Sequence, residues 1–180
     1  MDKVQIDDVD IETNPMGVHS IRRPISKALG FTDFAMNYFE LEPGESFSGG
    51  LHTHHDQEEV FYVQQGTATF ETHALQGDGD TNDESAPASD EHSEVTVEAG
   101  EVIRFAPGEF QKGYNDNDDG DETVVGFAFG APGAQHDWEQ IESLIYCQEC
   151  EEELGHGLEL TDEGAFRMTC TECGNSFVIG

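Results

Sequence analysis

Basic residues are nearly missing from this chain. Of its 180 residues only seven are Lys or Arg, against 39 Asp and Glu, for a formal net charge of −32. Lysine is reduced to Lys3, Lys27 and Lys112, and beyond Gly113 the one cation is Arg167. Contacts with nucleic-acid phosphates are made by such cations, so a nucleic-acid partner is not expected. There is no apolar run of the roughly 20 residues that a membrane helix needs. The opening residues, MDKVQIDDVDIETNP, hold neither the basic nor the apolar stretch of a secretory leader. These absences predict a cytoplasmic protein without membrane contact. Cysteine is scarce too: there are four, in two C-x-x-C pairs. Without a secretion signal, that pattern points to metal rather than to disulfides.

What is abundant is negative charge. A small soluble domain ordinarily carries a net charge of magnitude about 2–8. Here the acidity runs along the whole chain instead of forming the charge block of an interaction tail. Such a composition resembles that of proteins from extreme halophiles. Self-repulsion on this scale loosens a compact state unless salt screens it, and at 1 M the Debye length is only about 3 Å. The alternative is an acidic protein that binds a cationic partner.

Residues 1–33 are mixed and polar; VQIDDVDI reads as an edge strand, and RRPISKALG as a turn or short helix ended by Gly30. From Phe34 the texture changes to short segments of period two. FAMNYFEL (34–41) is stopped by Pro43-Gly44, EVFYV (59–63) ends in QQG, and TATFETH (67–73) is expected to pair with it as a hairpin. VTV (95–97), EVIRF (101–105), FQKGYN (110–115) and TVVGFAFG (123–130) continue the series. Many short strands with Gly and Pro turns predict an all-β sandwich or barrel. The stretch 74–94 is acidic and poor in aromatics, and reads as a long solvated loop, a lid being the alternative. HDWEQIESLI (136–145) spaces Trp138, Ile141, Leu144 and Ile145 as a short helix leaving the barrel.

GGLHTHHDQEEVFYVQQG (49–66) places three histidines within four residues, followed by two glutamates. On an extended segment His52 and His54 point to one side, and a glutamate opening the next strand can turn toward them. Two imidazoles and a carboxylate suit Fe, Mn, Ni, Co or Zn. At these residues the sequence resembles the cupin superfamily, whose first motif reads His-x-His, three or four residues, Glu, six residues, Gly: here His52, His54, Glu59 and Gly66. Its second motif is matched in GEVIRFAPGEFQKGYN by Gly100, Pro107, Gly108 and Asn115. The resemblance covers roughly residues 34–130 and implies a double-stranded β-helix, or jelly-roll barrel, with one divalent metal held by His52, His54, Glu59 and a fourth ligand. Two positions depart from the pattern: Ser46 stands where a glycine is usual, and Gln111 where the last histidine is usual. An amide oxygen is a weaker, harder ligand than imidazole. Glu58 is expected to point to the opposite side, His55 to face solvent or the mouth, and His73 and His136 to be surface histidines, with completion of the site as the alternative for each. On resemblance alone a homodimer is expected.

Cys147, Cys150, Cys170 and Cys173 have the spacing of a zinc ribbon, two thiolate knuckles joined by a β-hairpin and closing a tetrahedral structural Zn site. The expected division is a cupin barrel over 1–145, with an N-terminal arm and the acidic loop 74–94, followed by the ribbon over 146–180. So short a segment cannot bury a sufficient core, so metal would supply much of its folding energy.

Three functional classes fit these motifs. One is a metal-dependent enzyme on a small polar molecule, with Glu58, Gln111 or Tyr114 orienting the substrate. Another is a sensor whose ribbon contacts a protein partner, and the third is an interaction protein with a relic barrel site. The fold does not choose between them.

Overall fold

The computed structural model describes residues 1–12, 14, 16–73, 92–117, 120, 122–135 and 138–179. The strands are β1 (Ile21–Pro24), β2 (Ala35–Leu41), β3 (His52–His54), β4 (Glu58–Gln65), β5 (Thr67–His73), β6 (Ser93–Glu98) and β7 (Val102–Phe105). They continue with β8 (Phe110–Tyr114), β9 (Val124–Ala131), β10 (Ile141–Cys147), β11 (Glu152–Leu160), β12 (Phe166–Cys170) and β13 (Ser176–Ile179). One short helix, α1 (Ile25–Leu29), is ended by Gly30 in the left-handed conformation.

Two sheets face each other. The first has the order β1-β2-β9-β4-β7, the second β13-β12-β11-β10-β3-β8-β5-β6. The pairings between these strands are antiparallel. Period two does the work: along β2, Ala35, Asn37, Phe39 and Leu41 are buried, and along β4, Glu59, Phe61 and Val63. These inner rows enclose a core of Phe39, Leu41, Phe47, Phe61, Val63, Phe70 and Phe105 with smaller residues between them.

Two glycines make this packing possible. Gly66 has φ 77°, and a Cβ there would lie 2.8 Å from the Thr123 carbonyl oxygen. At Gly113 a Cβ would come within 2.4 Å of the Phe70 ring and 2.8 Å of Phe47, so its bare backbone leaves room for both rings.

Three sequence expectations are corrected. VQIDDVDI forms a single 3₁₀ turn at Ile6–Asp8 instead of an edge strand, its acidic residues being better placed in a turn. β4 and β5 are not a hairpin: β4 pairs with β7 and β9, β5 with β6 and β8. Gly66 sends the chain across from one sheet to the other. Of the helix expected over 136–145, the described residues form a 3₁₀ turn, Trp138–Gln140, followed by β10. Its apolar residues fit both periods, and hydrogen bonding to β3 and β11 selects the strand. The acidic stretch 74–94 lies outside the described residues up to 91, while Ser93 and Glu94 belong to β6.

β10 is continuous with both parts of the chain. Its start pairs with β3 and its later residues with β11, so the C-terminal hairpins extend the second barrel sheet.

Candidate metal centre and cavity

β3 is three residues long, and its two ends are the histidines. His52 pairs with Gln111 of β8 on one side and Ser143 of β10 on the other, while His54 pairs with Ile141. Gly108 and Gln140 anchor the segment, the Gly108 N–H donating to the His54 carbonyl at 3.0 Å and the His55 N–H to the Gln140 carbonyl at 2.9 Å. Glu59 arrives from the opposite sheet, on the inner row of β4.

The site residues that the motifs single out meet here. His54 Nε2 lies 3.4 Å from Glu59 Oε1, and His52 Nε2 lies 3.8 Å from Glu59 Oε2. One donor atom from each of the three falls within 4.8 Å of the others. His52 Nδ1 stands 3.0 Å from the Gly50 carbonyl, so the ring proton sits there and Nε2 presents its lone pair inward. Burial, first of all, holds His52 below the ordinary imidazole range, although Glu59 pulls the other way. The ring is thereby kept in the neutral form that ligates metal. The donor set therefore fits a divalent ion: two imidazoles and a carboxylate that could hold it.

Gln111 is brought to the same place, 2% exposed. Its Nε2 donates to Glu59 Oε2 at 2.6 Å and stands 3.4 Å from His52 Nε2, while its buried Oε1 has no hydrogen bond among the described residues. In this conformation the amide nitrogen faces the donors. A half-turn of the amide would present the oxygen instead, and only a cation between them would let it face the carboxylate.

Other expectations come apart. Glu58 and Tyr114 lie on outward rows, where Arg104 Nε binds Glu58 at 2.6 Å and the Tyr114 hydroxyl donates to Glu94 at 2.8 Å. Strand alternation thus removes both as substrate-orienting groups. His55 is exposed as expected and pairs with Glu142 at 2.8 Å. His73 is not a surface histidine. It is 9% exposed, with its ring 4.9 Å from His92, and it pairs with Phe110, the neighbour of Gln111 that points to the other face. His136 lies outside the described residues. Asn115 of the second motif is a structural clamp: its Nδ2 donates to the Leu41 and Glu122 carbonyls, each at 2.9 Å.

The centre opens on a cavity of about 330 Å³, near the lower limit of small-molecule sites, about 300–1,000 Å³. Phe39, Phe47 and Phe61 line it from the barrel, and Leu158, Phe166, Met168 and Ile179 from the C-terminal hairpins. Asn14, Met16, His19 and Arg22 of the N-terminal arm complete it. Sequence reasoning missed this last group because the arm has no periodic signal. An arginine in a chain so poor in cations was the available clue.

At the far end of β10 and β12 the four cysteines converge, their sulfurs within 4.8 Å of one another. All four are free thiols. Cys147 and Cys173 are 3.6 Å apart, too far for a disulfide and close to the edge of about 3.8 Å in a tetrahedron of 2.3 Å Zn–S bonds. Each knuckle closes alike: the Glu151 N–H donates to the Cys147 carbonyl at 2.8 Å and the Gly174 N–H to the Cys170 carbonyl at 3.0 Å. Glu151 and Gly174 both have positive φ. The backbone N–H groups of Cys150 and then Glu149 aim at the Cys147 sulfur and bring its pKa down to about 6, toward the thiolate a metal requires.

No family model and no curated protein matches the sequence. Solved structures do. A sugar phosphate isomerase of the cupin superfamily from Silicibacter pomeroyi superposes with a TM-score of 0.55 at 15% identity, covering 99% of this chain and 92% of that one. The oxalate decarboxylase of Lactobacillus farciminis, as its formate complex, gives 0.52 at 18% identity, covering 77% of this chain and 34% of that one. At these identities the likeness concerns the fold. With the two facing sheets, it shows that this chain has the fold of the cupin barrels, and its C-terminal four-cysteine module is consistent with a zinc ribbon.

Proposed function

We propose that the barrel binds one divalent metal ion through His52, His54 and Glu59, with Gln111 as a weak fourth ligand, and that a small polar molecule binds or reacts beside it. The observation that carries this reading is the convergence of the three donor side chains from both sheets on a cavity of about 330 Å³. A metal held there supplies Lewis-acid polarisation to a ligand oxygen. This chain's own residues supply the rest: His52 is kept neutral and the aromatic wall excludes water. No reaction is assigned. Cys147, Cys150, Cys170 and Cys173 hold a second ion, zinc, in a structural role, and the chain divides near residue 145 into barrel and ribbon.

A second reading makes the protein a ligand sensor that signals through its ribbon. It is favoured by one observation: Leu158, Phe166, Met168 and Ile179 belong to the hairpins that carry or follow the cysteines, yet wall the cavity. Elemental analysis tests the metal assignment. Two metals per chain are expected, one of them lost in His52→Ala/His54→Ala and the other in Cys147→Ser. Unchanged metal content in the histidine double variant would remove the barrel site.

A further inference from the structure

Arg22 is out of keeping with the rest of the chain. Among 39 carboxylates it makes no salt bridge within the described residues. It sits on β1 opposite Phe39, on the inward row, while its neighbour Arg23 turns the other way to the Asp7 and Val9 carbonyls. Nε and Nη2 of Arg22 both donate to Asn37 Oδ1, at 3.2 and 3.0 Å, and Asn37 is itself 7% exposed. That contact sets the plane of the guanidinium without an ion pair, since an amide oxygen is neutral; Glu12 favours the charge from beyond ion-pair distance, and its own carboxylate is paired with Lys27. The opposite edge, Nη1 with the second Nη2 proton, has no hydrogen bond among the described residues, and the residue lines the cavity. Burial works against this charge more than Glu12 supports it, and an arginine edge with two parallel N–H groups matches the two oxygens of a carboxylate.

We infer that this end of the cavity is a carboxylate subsite, in which the free edge of Arg22 binds both oxygens of a small monocarboxylate whose apolar body lies against Phe39, Phe166 and Met168. The inference rests on reading the cavity as a small-molecule site and names the chemistry of its ligand. Charge favours a monoanion. Among the described residues Arg22 is the one Lys or Arg in the cavity wall, and Glu59 already places a carboxylate there. A phosphomonoester carries about −1.5 to −2 charges at neutral pH and would be under-compensated. His19, in the same wall, has its Nδ1 against the Ser46 carbonyl at 3.1 Å and is held by burial below the ordinary imidazole range, so it adds no second cation.

Ligand-observed NMR titrations of the full chain with hexanoate, 1-hexanol and inorganic phosphate, at fixed KCl, test this. The native chain is expected to bind hexanoate more tightly than hexanol. Arg22→Met should weaken hexanoate by about tenfold or more while leaving hexanol unchanged, with Arg22→Lys, which lacks the fork, between the two. Unchanged hexanol binding certifies that the variant still forms the cavity. His52→Ala/His54→Ala should keep the preference for hexanoate, so the carboxylate subsite and the metal site fail or stand separately. Equal affinity of the native chain for hexanoate and hexanol, no binding of hexanoate, or an Arg22→Met variant that keeps it would overturn the inference. Phosphate displacing hexanoate at equal concentration would overturn the assignment to monocarboxylates.

Discussion

Gln111 marks how far a motif can be read residue by residue. Its position predicts a ligand, and its geometry shows a donor: the amide fixes Glu59 through a 2.6 Å hydrogen bond to a charged oxygen. Either role makes it matter for the metal, and removing it takes one hydrogen bond from a buried carboxylate. Gln111→Ala is expected to weaken barrel metal binding by about 10–100-fold, as for other groups that orient ligands, measured by competition with a chelator. Affinity within twofold of the native chain would show that Gln111 neither ligates nor orients. Acid sensitivity also belongs to single residues. His19 and His52 both have imidazole pKa values lowered chiefly by burial. The unfolded chain therefore takes up protons as pH falls through about 6.5 while the folded one resists. Their contribution is present above that pH and is lost below it. Denaturant midpoints should fall from pH 7.5 toward pH 5.5, and the fall should be shallower in His19→Gln. The window ends where carboxylates begin to protonate, because relief of the large negative charge acts in the opposite direction.

Strands explain why the two motifs had to be read together. His52 and His54 lie on the short β3, Glu59 on β4 of the facing sheet and Gln111 on β8, so the centre exists only where the sheets close on each other. The space between the sheets is filled by rings: Phe47 and Phe70 stack with centroids 5.9 Å apart, and Phe61 lies 5.0 Å from Phe70. Gly113 admits that stack. Gly113→Ala should cost about 1–3 kcal/mol through overpacking, seen as a lower denaturant midpoint. A midpoint equal to that of the native chain would mean that the rings move aside freely. Most strands were legible because alternation repeats within four to eight residues. The β4–β5 hairpin was misread because proximity in sequence normally implies pairing, and here Gly66 carries the chain between sheets. The helix expected over 136–145 failed because Ile141, Leu144 and Ile145 suit either period, and only sheet neighbours decide it.

Charge acts on the whole molecule. A net charge of −32 opposes compaction everywhere at once, and the ion pairs of Lys27, Arg104 and Arg167 are at the exposed surface, where such pairs contribute little. Screening must come from solution. Melting temperature is expected to fall steeply as KCl is withdrawn from molar to dilute concentration; a temperature independent of KCl would count against the halophile-like reading of the composition. At the same scale β10 joins the two candidate metal sites, since its first residues border His52 and His54 and its last is Cys147.

From the sequence alone came the β class, the histidine–glutamate triad, the four-cysteine cluster and the charge, because each is a matter of residue type and short spacing. Tertiary structure alone decided that Gln111 turns its nitrogen to Glu59, that His73 is buried, that the C-terminal hairpins wall the cavity, and that Arg22 faces it. These depend on which strands become neighbours, and burial, partner geometry and loss of solvent exist only once the sheets have met.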